Sequence, residues 1–198
     1  MAEVTEALRR GVRASLPEVA RIGDAGLRER VVEAWALALA GSECARIEAI
    51  PASGNPGTPA LARGTQADHI RGGARLALAV ADTPEARLGP LGVDRDLLLA
   101  AALCHDVGKP YEVSPRNQAR WRADPRLAGH PALRHPLYGA HLALTVGLPE
   151  AVARVAGAHS PEGQFVTRSL VCTIVHQADE AFWEIARAAG LLQPQPAP

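Results

Sequence analysis

The chain has 198 residues and is nearly devoid of lysine: of its 21 basic residues, 20 are arginine and only Lys109 is lysine. Aromatics are scarce at 4%, so the core must be packed from small and aliphatic side chains. The three cysteines, Cys44, Cys104 and Cys172, are widely spaced and form no CxxC pair. That excludes a disulfide framework and a thiolate zinc site, and suits reduced, buried thiols. Formal net charge is zero, so no global field favours a nucleic acid duplex or an anionic membrane. No apolar run reaches the length of a membrane span, and the first residues carry no secretory pattern, so a cytoplasmic protein is expected.

What is present is 47% apolar, rich in Ala, Leu and Arg, without a repeat or a period-2 strand pattern. The expected fold is all-α. Asp24 and Gly41 bracket a helix with Leu27, Val31, Ala34, Trp35 and Ala38 on one stripe. Residues 1–50 are read as a helical extension packing on the core, and the Pro/Gly-rich residues 51–64 as a loop. The core domain is placed at 65–190 and a disordered tail at 191–198. Thr65 to Asp68 resembles a capping box, and the helix after it sets His69, Gly73, Leu76 and Val80 on one face. Residues 84–93 read as a turn, and 110–134 as a connector without periodicity. His135-Pro136 opens a helix to Gly147, Pro149 starts the next, and a last one covers roughly Thr167–Ala189.

Chemistry gathers at the end of the apolar run from Leu97 to Leu103, which stops at His105-Asp106. A helix apolar all round is buried, and a buried imidazole beside a buried carboxylate needs a partner such as a divalent metal. Gly108 is expected in a left-handed cap, and Pro110 to bar continuation of the helix. His69, His159 and Asp179 also fall toward the core on other helices, with His135 just before its own. A lone histidine on an apolar stripe is more often packed than ligating, but Asp179 among Val171, Val175 and Phe182 must find a cation or good donors. Imidazole nitrogen with carboxylate oxygen suits Fe, Mn, Zn or Ni rather than calcium. Lys109 reads either as a group near metal or phosphate or as a partner of the helix dipole. The connector's Arg116, Arg120, Arg122, Arg126 and Arg134 outnumber Glu112 and Asp124, which would attract a small anionic substrate, and Trp121 would stack on a base. His130 would reach substrate, His141 reads as packed or partly exposed, and His176 and Glu162 as outer neighbours of the ligands.

The order His69, His105-Asp106, Asp179, with the run His105-Asp106-Val107-Gly108-Lys109, resembles the HD-domain superfamily of metal-dependent phosphohydrolases. His135-Pro136-Leu137-Tyr138-Gly139-Ala140 and His159 resemble further segments of its HD-GYP-like members, without their paired histidines or Gly-Tyr-Pro motif, which argues against cyclic-di-GMP hydrolysis. The resemblance implies an HD-domain helical bundle with two divalent ions. One would be held by His69, His105, Asp106 and Asp179, the other by Asp106 as bridge with His135 and His159. It further implies hydrolysis of a small phosphorylated metabolite or nucleotide by a metal-activated hydroxide, with Asp106 and Lys109 catalytic and Lys109 beside the substrate phosphate; the connector's basic excess adds Arg116, Arg120 and Arg134 as expected substrate-binding residues. The same ligand order also resembles the mixed-valent di-iron oxygenases of the superfamily. A non-catalytic HD ligand-binding module is the third alternative, and a homo-oligomer is compatible with each.

Overall fold

A computed structural model describes residues 3–194 except 56, 125, 128 and 130. His130 and residues 195–198, for which expectations were given, lie outside the described residues. Helices account for the regular structure: α1 Glu6–Ser15, α2 Ala25–Ala40, α3 Gln66–Leu88, α4 Arg95–Cys104, α5 Lys109–Val113, α6 Pro115–Ala123, α7 His135–Thr145, α8 Glu150–Ala158 and α9 Leu170–Ala188. Only isolated bridges, no strands, occur among the described residues. No helix among them is long and apolar enough to cross a membrane.

Local sequence explains most helix starts. Thr5, Asp24, Asp94, Ser114 and Ser169 each accept a hydrogen bond from a backbone N–H of the first turn. Thr65 and Asp68 close a full capping box at α3. The apolar α4 is the axle of the fold, buried from Leu98 to Cys104 and packed against α2, α3, α8 and α9. Around it α3 lies on α9 and α7 on α8. Residues 1–50 share this core: Trp35 is fully buried, and its indole Nε1 donates to the Leu103 carbonyl at 2.8 Å. That bond ties α2 to the final turn of α4, immediately before His105.

Several expectations are corrected. α3 runs to Leu88 with Pro84 inside it, so the first half of the expected 84–93 turn is helix. The buried stripe of α3 is His69, Ile70, Gly73, Ala74, Ala77 and Ala81, while Leu76 and Val80 are only half-buried. The connector contains α5 and α6, helices too short and polar to show a period. Gly108 is not a left-handed cap: its φ is −82°, and Pro110 occupies the first turn of α5, where its missing N–H costs nothing. Gly108 is needed for space, since a Cβ there would lie 2.2 Å from the His135 carbonyl oxygen and 2.8 Å from the Gly139 nitrogen. The tail is ordered further than expected, because Leu191 and Gln193 pair with Ala62 and Ala60 of the loop.

Replacing Trp35 with Phe leaves the Leu103 carbonyl buried without its donor, so a loss of about 1–3 kcal/mol is expected in urea melts, with the helical content kept.

Candidate metal centre

Five helices and their ends deliver the site. His69 comes from the second turn of α3, His105 and Asp106 from the end of α4, His135 from the start of α7, His159 from the end of α8 and Asp179 from the middle of α9. The four histidines and Asp106 are 3% exposed or less. Three imidazoles have their Nδ1 committed. That of His105 lies 2.7 Å from the Ala102 carbonyl, that of His159 3.0 Å from the Ala156 carbonyl, and that of His135 2.8 Å from Glu112 Oε2. Carbonyl and carboxylate oxygens only accept, so these Nδ1 atoms carry the proton and each Nε2 offers a lone pair.

Those lone pairs converge on carboxylates. Asp106 Oδ1 lies 3.0 Å from His135 Nε2 and 3.5 Å from His159 Nε2. Asp106 Oδ2 lies 3.5 Å from His69 Nε2 and 3.8 Å from His105 Nε2. Asp179 Oδ1 lies 3.3 Å from His69 Nε2 and 3.8 Å from His105 Nε2, and is buried with no hydrogen-bond partner. The Nε2 atoms of His69 and His105 face each other at 3.2 Å. Acceptors held this close repel unless positive charge stands among them. Ligand atoms around an ion with bonds of about 2.1 Å are separated by about 3.0–3.4 Å, the spacing these donors approach. Three sets of ligand atoms cluster tightly enough to hold an ion: His69 with His105 and Asp106, His105 with His159 and Asp179, and Asp106 with His135 and His159. The residues present therefore fit divalent metal.

The electrostatics of the side chains alone point the same way. Burial opposes charge on His69, yet Asp106 and Asp179 outweigh it and raise its pKa to about 9. Burial wins at His105, which falls to about 4. Burial pushes Asp106 and Asp179 up, but the surrounding imidazoles, with Lys109 beside Asp106, hold both well below the usual carboxylate range. The cage pulls in a cation of whatever kind.

Outer contacts aim the ligands. Gln66, one turn before His69, donates its buried amide to Asp106 Oδ2 at 2.7 Å. Glu112 accepts from both the backbone N–H and Nδ1 of His135, and the resulting imidazole contacts hold its pKa at about 2 against the opposing effect of burial. His176 Nδ1 faces the His159 carbonyl, and Arg168 bonds the Ala158 and Ser160 carbonyls beyond the end of α8. Phe182 and Trp183 wall His69, with ring centroids 4.8 and 5.0 Å away.

A polar cavity of about 80 Å³ opens onto the cage, touched by Asp106, His135, His159 and Asp179 and walled by the 53–55 loop, Lys109 and Trp183. This is room for a few water-sized groups. A family model for the HD domain matches residues 67–182, more than half of the chain and all six ligand positions. The chain belongs to the HD-domain family. No curated protein and no solved structure matches it significantly. Within the matched span, buried His and Asp side chains form clusters that could hold a divalent metal.

The HD-domain centre gathers His69, His105, Asp106, His135, His159 and Asp179. It does not gather every residue expected around it. Arg116 and Arg120 are exposed and line no part of the cavity; Arg120 instead bonds Tyr111 Oη and Asn117. Arg134 stands beside the cleft but is held by Glu162, Glu112 and Asn55. Trp121 is buried against Tyr111 and cannot stack on a ligand. His141 is exposed. Gln66 and Glu112 went unnoticed as ligand-orienting groups, although Gln66 shares a helix face with His69 at i, i+3 and Glu112 follows Lys109 by the same step.

Substituting Glu112 with Gln removes the charge that fixes the His135 tautomer. Metal affinity should fall about 10–100-fold in chelator competition while the melting profile of the metal-free protein shifts little.

Proposed function

We propose that the protein is a metal-dependent phosphohydrolase acting on a small phosphorylated metabolite or nucleotide. Membership of the HD-domain family supports hydrolytic chemistry of this type. The observation that carries the reading is Asp106, whose two oxygens each face a different pair of imidazoles beside a small polar cleft. On this reading two divalent ions, drawn from Fe, Mn, Ni or Zn, occupy the cage. His69, His105, Asp106 and Asp179 would hold one, and Asp106, His135 and His159 the other. Such ions supply an activated water at neutral pH and neutralise charge on phosphoryl oxygens.

The chain's own residues then have definite tasks. Asp106 ties the two halves of the cage together, and Gln66 fixes its carboxylate plane through Oδ2. Glu112, His176 and Arg168 keep His135 and His159 aimed inward. Trp183 and the 53–55 loop wall a cleft of about 80 Å³ beside the ligands, small enough to suit a compact group such as a phosphoryl. On this reading the substrate is an anion, and the residues that would hold the ions stand beside the cleft it would enter.

Anaerobic purification followed by metal analysis should find two divalent ions per chain. Phosphate release from a panel of phosphomonoesters and nucleotides should then be lost, by at least 100-fold, when His105 and Asp106 are both replaced by Ala. Retained release in that variant defeats the reading. Two irons with turnover that requires dioxygen establish the oxygenase alternative, and tight ligand binding by a metal-free, inactive protein establishes a binding module.

A further inference from the structure

We propose that Lys109 is a positioning residue, a strut that seats the cleft wall at residues 53–55 and so aims Asn55 at the anionic group of the substrate, without touching that group itself. The inference rests on the phosphohydrolase reading only for the identity of the anion. Lys109 is 1% exposed. Its Nζ donates to the Ser53 carbonyl at 2.9 Å and the Gly54 carbonyl at 2.8 Å, and faces Glu112 Oε1 at 3.8 Å. Two of the three ammonium donors are thus taken by backbone carbonyls, and the charge is paired with the Glu112 carboxylate beyond hydrogen-bond distance. A phosphate oxygen that took either of those two donors would displace a carbonyl that holds the wall in place.

The wall needs that support. The described part of residues 51–64 contains no helix, and its hold comes from a few hydrogen bonds: the Thr58 N–H and hydroxyl to the Asn55 carbonyl at 3.0 and 2.6 Å, Leu61 to the Ala52 carbonyl at 2.9 Å, and the tail pairings of Ala62 with Leu191 and Gln193 with Ala60, both at 2.8 Å. Between Ala52 and Thr58 the strut is what joins the segment to α5, next to Asp106. Asn55 follows directly. Arg134 Nη2 donates to its Oδ1 at 2.7 Å, and because a guanidinium cannot accept, the oxygen must face Arg134. The Asn55 NH2 then turns the other way, and Asn55 lines the cleft that opens onto Asp106. Lys109 and Arg134 thus set the backbone and the side chain of one amide donor.

The test compares the metal-loaded protein with Lys109→Met and Asn55→Ala, using inorganic phosphate as the anion. Hydrogen exchange at the amides of Thr58, Leu61 and Ala62 should quicken at least tenfold in Lys109→Met, with α4 unchanged. Phosphate affinity by calorimetry should weaken about tenfold in both variants, and loop exchange should stay at the wild-type rate in Asn55→Ala. Lost phosphate affinity with unaltered loop exchange in Lys109→Met overturns the strut, and unaltered affinity in Asn55→Ala overturns the role of Asn55. A measurement on the wild type guards against a variant that fails to fold. Lys109 is the only lysine, so acetic anhydride followed by mass spectrometry reads its side-chain amine alone beside the chain terminus. Protection that is equal with and without phosphate agrees with the strut; labelling that phosphate suppresses shows direct contact and overturns it. Should phosphate release be absent while the loop result holds, only the phosphohydrolase reading fails.

Discussion

Four imidazole nitrogens and two carboxylates are pressed together in the interior, and the rest of the molecule is arranged so that they cannot move apart. Isolated, each group would cost several kcal/mol to bury. Together they form a site whose repulsion only positive charge can relieve. The long-range contacts meet this demand from several directions, because α3, α4, α7, α8 and α9 each carry at least one ligand at or near a point of close packing.

Small side chains make such convergence feasible. Ala100, Ala101 and Ala102 on α4, and Ala153 and Ala156 on α8, let helix axes approach, and Gly108 meets Gly139 backbone to backbone. Without that contact His135 could not reach Asp106 Oδ1. The few aromatics are placed with economy: Trp35 joins the N-terminal helices to α4, and Phe182 and Trp183 back the ring of His69.

Much of this could be read along the chain. Helix starts at Thr65 and Asp24 follow from side chains that bond their own first turns, a local matter. His105-Asp106 stood out because it ends a fully apolar helix, and Asp179 because it interrupts an apolar face. The unread part is non-local. Gly108 looked like a cap because nothing in its neighbours reveals that the His135 carbonyl, 27 positions on, needs its space. Arg134 looked free because its pairing with Glu162 and Asn55 depends on how distant segments fold back. Gln66 and Glu112 were hidden for the same reason, since an orienting contact has no signature apart from the group it orients.

Asp106 takes partners from residue 66 to residue 159, and the cage as a whole extends to residue 179. Ligand atoms so far apart along the chain come together only in the folded domain, so an ion held there would bind the native state alone. An ion present at 100 times its dissociation constant adds about 2.7 kcal/mol to the native state. The cellular supply of that element would therefore govern how much of this polypeptide survives proteolysis, independently of any substrate it turns over.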